Sequence, residues 1–239
     1  PNVRASMRLV LRLYLGYAFG GVLAYWLAGM SLFDAINHSF TAVATGGFST
    51  HPESIGYWDA PAVDLVSLPL MLLGGMNFLT AWELVRGRLR TFLRDGEIRL
   101  VLTLIPICCA FLFWNLCAWI YPSVGKALRA ALFEPVSALT GTGFTSTTYT
   151  HWSGAGLMVL TTLMIIGGGV NSTAGGIKQY RIYLLLRSIL WDVRAAFLPR
   201  TARRAVQVPL ALVALAAALV AVGWRWTIVQ SDGPREVVA

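Results

Sequence analysis

The sequence predicts an all-α integral membrane protein in which one unit is repeated: span, short re-entrant helix, Gly-rich loop, span. Three observations carry this. Of the 239 residues, 56% are hydrophobic and only 13% charged, with a mean hydropathy of +0.65, whereas a water-soluble domain has about 25% charged residues. Apolar runs long enough to cross a bilayer, about 20 residues as a helix, recur along the chain. Finally, Gly47-Phe48 and Gly143-Phe144 stand 96 positions apart in similar surroundings, and Trp58 and Trp152 fall within two positions of the same offset.

The elements follow in order. The first apolar run, residues 9–27, ends in an aromatic anchor at Tyr25 and Trp26. Residues 28–62 are too apolar for an ordinary loop and too short to span. They read as a helix over 32–43, a Gly-rich stretch and a polar exit. A second span over 63–84 closes the first unit, 1–84. The basic segment 85–99 joins it to the second unit, 100–190, which opens with a span at 100–120. There VGKALRAALFEPVSALTGTGFTSTTYTHW repeats the helix and loop, and an apolar run from about 156 is interrupted at 167–176 by GGGVNSTAGG. A basic linker at 191–205, a fifth span at 206–226 and a polar tail at 227–239 complete the reading.

The charge pattern orients these elements. The net charge is +8, from 19 Lys and Arg against 11 Asp and Glu. Most of the basic residues cluster at 4–12, 86–99 and 178–204, between the apolar spans, which marks cytoplasmic ends and not a nucleic-acid patch. The amino terminus is therefore expected inside, and the Arg-poor segments 28–62 and 121–155 outside. Cys108, Cys109 and Cys117 lie in one apolar run, an odd count that argues against a disulfide framework and suggests packing. The opening residues lack a signal-peptide cleavage site. A start without Met suggests a processed or excerpted product.

Irregular backbone at membrane depth is tolerated only where protein buries it or where it lines a water-filled cavity. A single TGGF also reads as a simple turn. Two copies at equivalent places in a repeated unit favour a pore, in which Gly permits the dihedrals that turn successive carbonyls toward one axis. Rings of carbonyls replace the hydration shell of a monovalent cation. Carboxylate rings are missing from the loops, so the expected ligands are backbone oxygens, helped by the hydroxyls of Thr45, Thr140 and Thr142. The interruption at 167–176 has two readings. Gly167, Gly168 and Gly169 seat a neighbouring helix, or five Gly with Asn171, Ser172 and Thr173 break the helix, at a cost of about 1 kcal/mol per Gly, and form a gate.

Other residues carry weaker signals. Glu134, ionisable and on the second re-entrant helix, either adds negative potential or bonds a loop amide. Asp34 and His38, at i and i+4, are expected to bond each other. Asp34, Glu53, Asp59 and Asp64 give the outer mouth a negative bias. His51 and His151 are expected in solvent. No nucleophile, paired-carboxylate or metal constellation suggests an enzyme.

These motifs resemble a known family. FDAINHSFTAVATGGFSTHPESIGYWD looks like the second pore-loop region, FEPVSALTGTGFTS the third, and GGGVNSTAGGIK the intramembrane loop of the third repeat in the TrkH family of the Trk/Ktr/HKT superfamily. That family comprises the membrane subunits of bacterial Trk potassium uptake systems. The resemblance covers about residues 5–225. It implies four span–pore helix–loop–span repeats around a pseudo-fourfold cation pore, a homodimer in the lipid of the bacterial inner membrane, and a cytoplasmic TrkA-like nucleotide-binding subunit. The transported ion would be K⁺, with no covalently bound cofactor and nucleotide acting only through the partner. Carried over, the filter positions are Thr45, Gly46, Gly47 and Phe48 in one repeat and Gly141, Thr142, Gly143 and Phe144 in the other. The gate loop maps to Gly167, Gly168, Gly169, Asn171, Ser172, Thr173, Gly175 and Gly176, followed by Lys178.

The sequence holds only repeats two and three of that pattern and the first span of the fourth. The expectation is therefore a fragment, a truncated product or a part completed by another chain. Two rivals stand beside K⁺ transport: a Na⁺ or mixed Na⁺/K⁺ conductor, and a truncated non-conducting subunit. Gly in both filter loops favours K⁺ over Na⁺, since plant members that prefer Na⁺ carry Ser in place of a filter Gly.

Overall fold

The computed structural model describes residues 3–119 and 123–196. The expected fifth span at 206–226, most of the second linker, the tail at 227–239 and the Cys117 side chain lie outside the described residues. Residues 1–183 form one compact body, which contains every contact described below; of a second body, 184–239, only the latter part of the last helix is described.

All regular structure among the described residues is helical. Helix α1 spans Val3–Leu27 and stops at Gly29, whose φ of +102° no side chain tolerates well. Ser31 caps α2, Leu32–Val43, by accepting from the Asp34 amide at 3.1 Å. A single 3-10 turn at Ser54–Tyr57 leads to α3, Pro61–Gly75, where Pro occupies the first turn and sacrifices no hydrogen bond. Helices α4, Phe78–Val85, and α5, Leu89–Arg94, precede α6, Gly96–Trp119. Asp95 caps α6, its Oδ1 accepting from the Glu97 amide at 2.8 Å. Helix α7, Val124–Thr140, ends at Gly141 in the left-handed region; α8 is Gly154–Ile166 and α9 is Gln179–Ala196.

Two described stretches, Met7–Leu27 and Gly96–Asn115, are long and apolar enough to cross a membrane; α3 and α8 are apolar but shorter. Leu11, Phe19, Leu23 and Trp26 on α1 and Ile107, Phe111 and Trp114 on α6 are exposed. In water such faces would drive aggregation, whereas hydrocarbon solvates them at no cost.

With no hydrophobic drive between helices in lipid, close packing and polar contacts hold them together. An added Cβ at Gly21 of α1 would overlap the hydroxyl of Ser39 on α2, and that hydroxyl donates to the Ala18 carbonyl at 2.6 Å. The re-entrant helices sit inside: Ala35, Ala42 and Val43 of α2 share one core cluster with Tyr25, Met71, Phe133 and Phe144. In a second cluster Ala127, Ala130 and Leu139 of α7 pack with Leu112, Trp152 and Leu163.

The second span is not one helix. Where hydropathy runs on over 63–84, α3 ends at Gly75, Met76 is extended at φ −94° and ψ 161°, and Asn77 caps a new helix by accepting from Leu79 N at 2.9 Å. Gly74 explains the close approach here, because a Cβ on it would overlap the Val43 carbonyl oxygen of the first loop's helix. The segment 85–99 also carries its own helix, α5, and the first turn of α6.

Candidate functional site

Both Gly-rich loops leave their helices by the same backbone path, residue for residue at the 96-position offset. In the first, Thr45 N bonds the Ala42 carbonyl at 3.1 Å and Gly46 N the Thr41 carbonyl at 2.8 Å. In the second, Gly141 N bonds Ala138 O at 3.1 Å and Thr142 N bonds Ser137 O at 3.0 Å. Positive φ falls at Thr45 (+50°) and Gly47 (+66°), and again at Gly141 (+69°) and Gly143 (+81°). Alternating left-handed residues cannot continue a helix, so the carbonyls between them leave the ladder. A helix hydroxyl then fixes each exit: Thr41 Oγ1 donates to the Phe48 carbonyl at 2.9 Å, and Ser137 Oγ to the Phe144 carbonyl at 2.7 Å.

The loops meet. A Cβ on Gly47 would overlap the Thr142 carbonyl oxygen and approach Gly143 C to 3.1 Å, so only Gly fits there. Gly143 has open space at the equivalent position. The 3-10 turn reaches across as well, Gly56 N donating to the Thr145 carbonyl at 3.0 Å. The Phe side chains differ: Phe144 is fully buried, its ring stacked on His38 at 5.7 Å, and Phe48 is 78% exposed.

The segment 167–178 is a break between α8 and α9. Its ends pair: Ile177 N bonds Ile165 O at 3.0 Å, Lys178 N bonds Ile166 O at 3.0 Å, and Gln179 N bonds Gly168 O at 2.9 Å. Lys178 folds back, its Nζ donating to the Ala174 carbonyl. The tip between them lies against both loops. Thr173 Oγ1 stands 2.9 Å from the Val43 and Gly74 carbonyls and 3.3 Å from Thr45 Oγ1, and Gly175 N lies 3.7 Å from where a Gly141 Cβ would be. Gly169 N donates to the Gly75 carbonyl at 2.8 Å, and Phe78 N to the Asn171 carbonyl at 3.3 Å. Glu97, 3% exposed, closes the other side by accepting from Val170 N at 2.9 Å. The sequence reading missed both the Gly74–Asn77 break and Glu97.

Two expectations about the surroundings change. Asp34 and His38 do not pair through their side chains: His38 Nδ1 is 2.8 Å from the Asp34 backbone carbonyl, and the Asp34 carboxylate accepts from Thr50 at 2.6 Å and Ser31 at 2.7 Å. Those two hydroxyls hold the Asp34 carboxyl below its ordinary pKa. The acidic mouth is largely compensated, with Arg129 reaching Asp64 at 2.8 Å and Asp59 at 3.2 Å, and Lys126 reaching Asp59 at 3.2 Å. His51 is not a free solvated ring, since it stacks on Tyr57 at 3.7 Å. Glu134 does bond a loop amide, Ser146 N, at 2.8 Å.

Among the described residues no three His, Cys, Asp or Glu side chains cluster as a metal site.

Residues 1–217 match the family described as TrkH, cation transport protein. The chain is 36% identical over 192 residues to the Trk system potassium uptake protein TrkH of Salmonella typhimurium, covering 78% of this chain and 39% of that protein. It is 34% identical to the Trk system potassium uptake protein TrkG of Escherichia coli, over 84% of this chain and 41% of that one. The crystal structure of the potassium transporter TrkH from Vibrio parahaemolyticus superimposes with a TM-score of 0.79 at 32% identity, over 87% of this chain and 45% of that one. The chain thus spans about two fifths of the length of the curated relatives it matches.

Proposed function

The chain belongs to the TrkH family of cation transport proteins, all-helical membrane proteins and not enzymes, and on that premise we propose that it carries two pore loops of a K⁺ uptake pathway. The observation that carries the reading is the residue-for-residue repetition of helix exit, positive φ and hydroxyl clamp at 45–48 and 141–144, in loops that touch. Backbone oxygens held in a fixed spacing replace the water lost by K⁺ more completely than that lost by the smaller, more strongly hydrated Na⁺. Thr45, Gly46, Gly47 and Phe48 with Gly141, Thr142, Gly143 and Phe144 form this half of the filter.

Two loops cannot surround an ion. Phe144 is covered by the neighbouring unit's His38 and Phe48 is bare, so the same packing repeated places a further unit against Phe48. The filter is then a ring of four, completed by further repeats and embedded in the bacterial inner membrane with the Arg-rich ends in the cytoplasm. The segment from Gly167 through Lys178 lies against the side of both loops reached by Thr173 and Gly175 and acts as the gate. A homodimer and a TrkA-like nucleotide-binding subunit belong to the same proposal.

Uptake of ⁸⁶Rb⁺ into liposomes tests it, with the chain alone and with the remaining repeats of a relative supplied. Uptake competed by K⁺ over Na⁺ and abolished by Gly143→Asp is expected. Absence of Rb⁺ uptake in both preparations, or equal competition by Na⁺, would refute K⁺ conduction.

A further inference from the structure

Behind each loop, on the re-entrant helix, stands a buried side chain that neither lines the loops nor touches the gate segment. The positions, 38 and 134, are again 96 apart, and the residues differ: His38 is fully buried and Glu134 is 1% exposed. Each reaches over its own loop to the arm by which the chain leaves it. His38 Nδ1 faces the Asp34 carbonyl at 2.8 Å, and a carbonyl only accepts, so that nitrogen carries the proton. In the neutral ring Nε2 then accepts from the Ser49 hydroxyl at 2.9 Å, while Ser49 Oγ accepts from the His51 amide at 3.1 Å. Glu134 Oε1 accepts from both the amide and the hydroxyl of Ser146 at 2.8 Å, and Oε2 accepts from the Tyr149 hydroxyl.

We propose that His38 and Glu134 are the positioning residues of the two loops, one post per unit, which hold the exit arms and thereby the carbonyl spacing that selects the ion. The proposal rests on the transport reading above. The posts are unequal in a way the structure specifies. Glu134 serves its own loop alone, through three bonds to two residues of one arm. His38 serves both loops, because besides holding Ser49 its ring stacks on Phe144 of the second loop at 5.7 Å and 29°. Both posts therefore brace the second loop, and only His38 braces the first.

Amide hydrogen exchange of the chain in detergent, followed by mass spectrometry, separates these roles. With His38→Ala, exchange rises by about tenfold or more, the worth of one buried hydrogen bond, over residues 48–51 and also over 143–145. In His38→Gln the terminal amide still reaches Ser49, so protection returns at 48–51 and stays low at 143–145. Glu134→Ala frees 144–149 and leaves 45–49 unchanged, and Glu134→Gln restores part of that protection. The two Gln variants unfold closer to the wild-type temperature than the Ala variants do. In liposomes with the remaining repeats of a relative supplied, the Ala variants lose K⁺ over Na⁺ preference in ⁸⁶Rb⁺ competition. Unchanged exchange in an Ala variant's own arm, or an unchanged second loop in His38→Ala, overturns the proposal. A wild-type chain with the missing repeats supplied that takes up no Rb⁺ refutes the transport reading instead, and the exchange data still decide the positioning role.

Discussion

Replacing Glu97 tests whether the Gly-rich segment is held in place from the first turn of α6. Its carboxylate is 3% exposed and accepts from Val170 N at 2.9 Å, with Oε2 lying 2.8 Å from where a Gly169 Cβ would be. A hydrogen bond to a charged group contributes about 1.5–3 kcal/mol, so its loss shifts the balance between the docked and released segment by about 10-fold to 150-fold. Glu97→Ala is therefore expected to raise amide exchange over residues 169–174 by that factor. Glu97→Gln keeps a neutral acceptor and loses about 1 kcal/mol, roughly a fivefold rise. The cap of α6 is an internal control, because Asp95 holds the Glu97 backbone amide, which neither substitution removes. Exchange over 95–99 and over 45–48 should stay as in the wild type. Equal exchange over 169–174 in Glu97→Ala and wild type would refute the latch, and a rise spread through α6 would show the residue to be merely structural.

Gly143→Ala meets only the cost of a left-handed residue, about 1–2 kcal/mol, whereas Gly47→Ala adds an overlap with the Thr142 carbonyl; thermal unfolding in detergent should rank Gly47→Ala well below Gly143→Ala, and equal melting temperatures would contradict the contact between loops. Arg129→Ala strands the buried Asp64 carboxylate and is expected to destabilise by about 3 kcal/mol, with much of the loss recovered in the Arg129→Ala, Asp64→Asn double variant, as a denaturation cycle would measure. Asp34 has a folded pKa below its unfolded value, so its contribution is present above the unfolded value and lost as pH falls through the folded one. The melting-temperature difference between wild type and Asp34→Asn should accordingly be constant near neutrality and shrink only as acidification passes below the ordinary carboxylate range.

What the sequence made legible was whatever repeats or has a period. The long apolar runs of α1 and α6 needed only their length, and the two loops could be aligned because Gly and Phe recur at one offset. The break at Met76–Asn77 was hidden because Met, Phe and Leu surround it, so hydropathy averages straight through two residues of changed dihedral; Gly74-Gly75 before an Asn cap was the only local sign. Glu97 looked like one acid in an Arg-rich linker, and its burial comes from the segment at 169–170 folding onto it from more than 70 residues away. The i, i+4 rule put Asp34 and His38 on one face correctly. It could not tell that a backbone carbonyl and Ser49 would take the imidazole. Likewise the acids of the outer mouth could not be paired with Arg129 and Lys126 before the chain had folded.

The two units differ most where they depend on each other. A helix that ends leaves its last carbonyls without partners, and at membrane depth water is not there to supply them. In the first unit the break after Gly75 frees the Gly74 and Gly75 carbonyls, and the second unit's segment satisfies them through the Thr173 and Gly169 amides, leaving the Thr173 hydroxyl for Val43. Val43, just before the first loop, is served by the same Thr173, and Glu97 by Val170 N. The short break in one unit is thus the docking surface for the long break in the other. If the segment withdraws as a gate, all four acceptors lose their donors at once, a cost that only entering water offsets. On the proposed reading of the segment as a gate, its opening and the wetting of the path beneath the loops are then a single event.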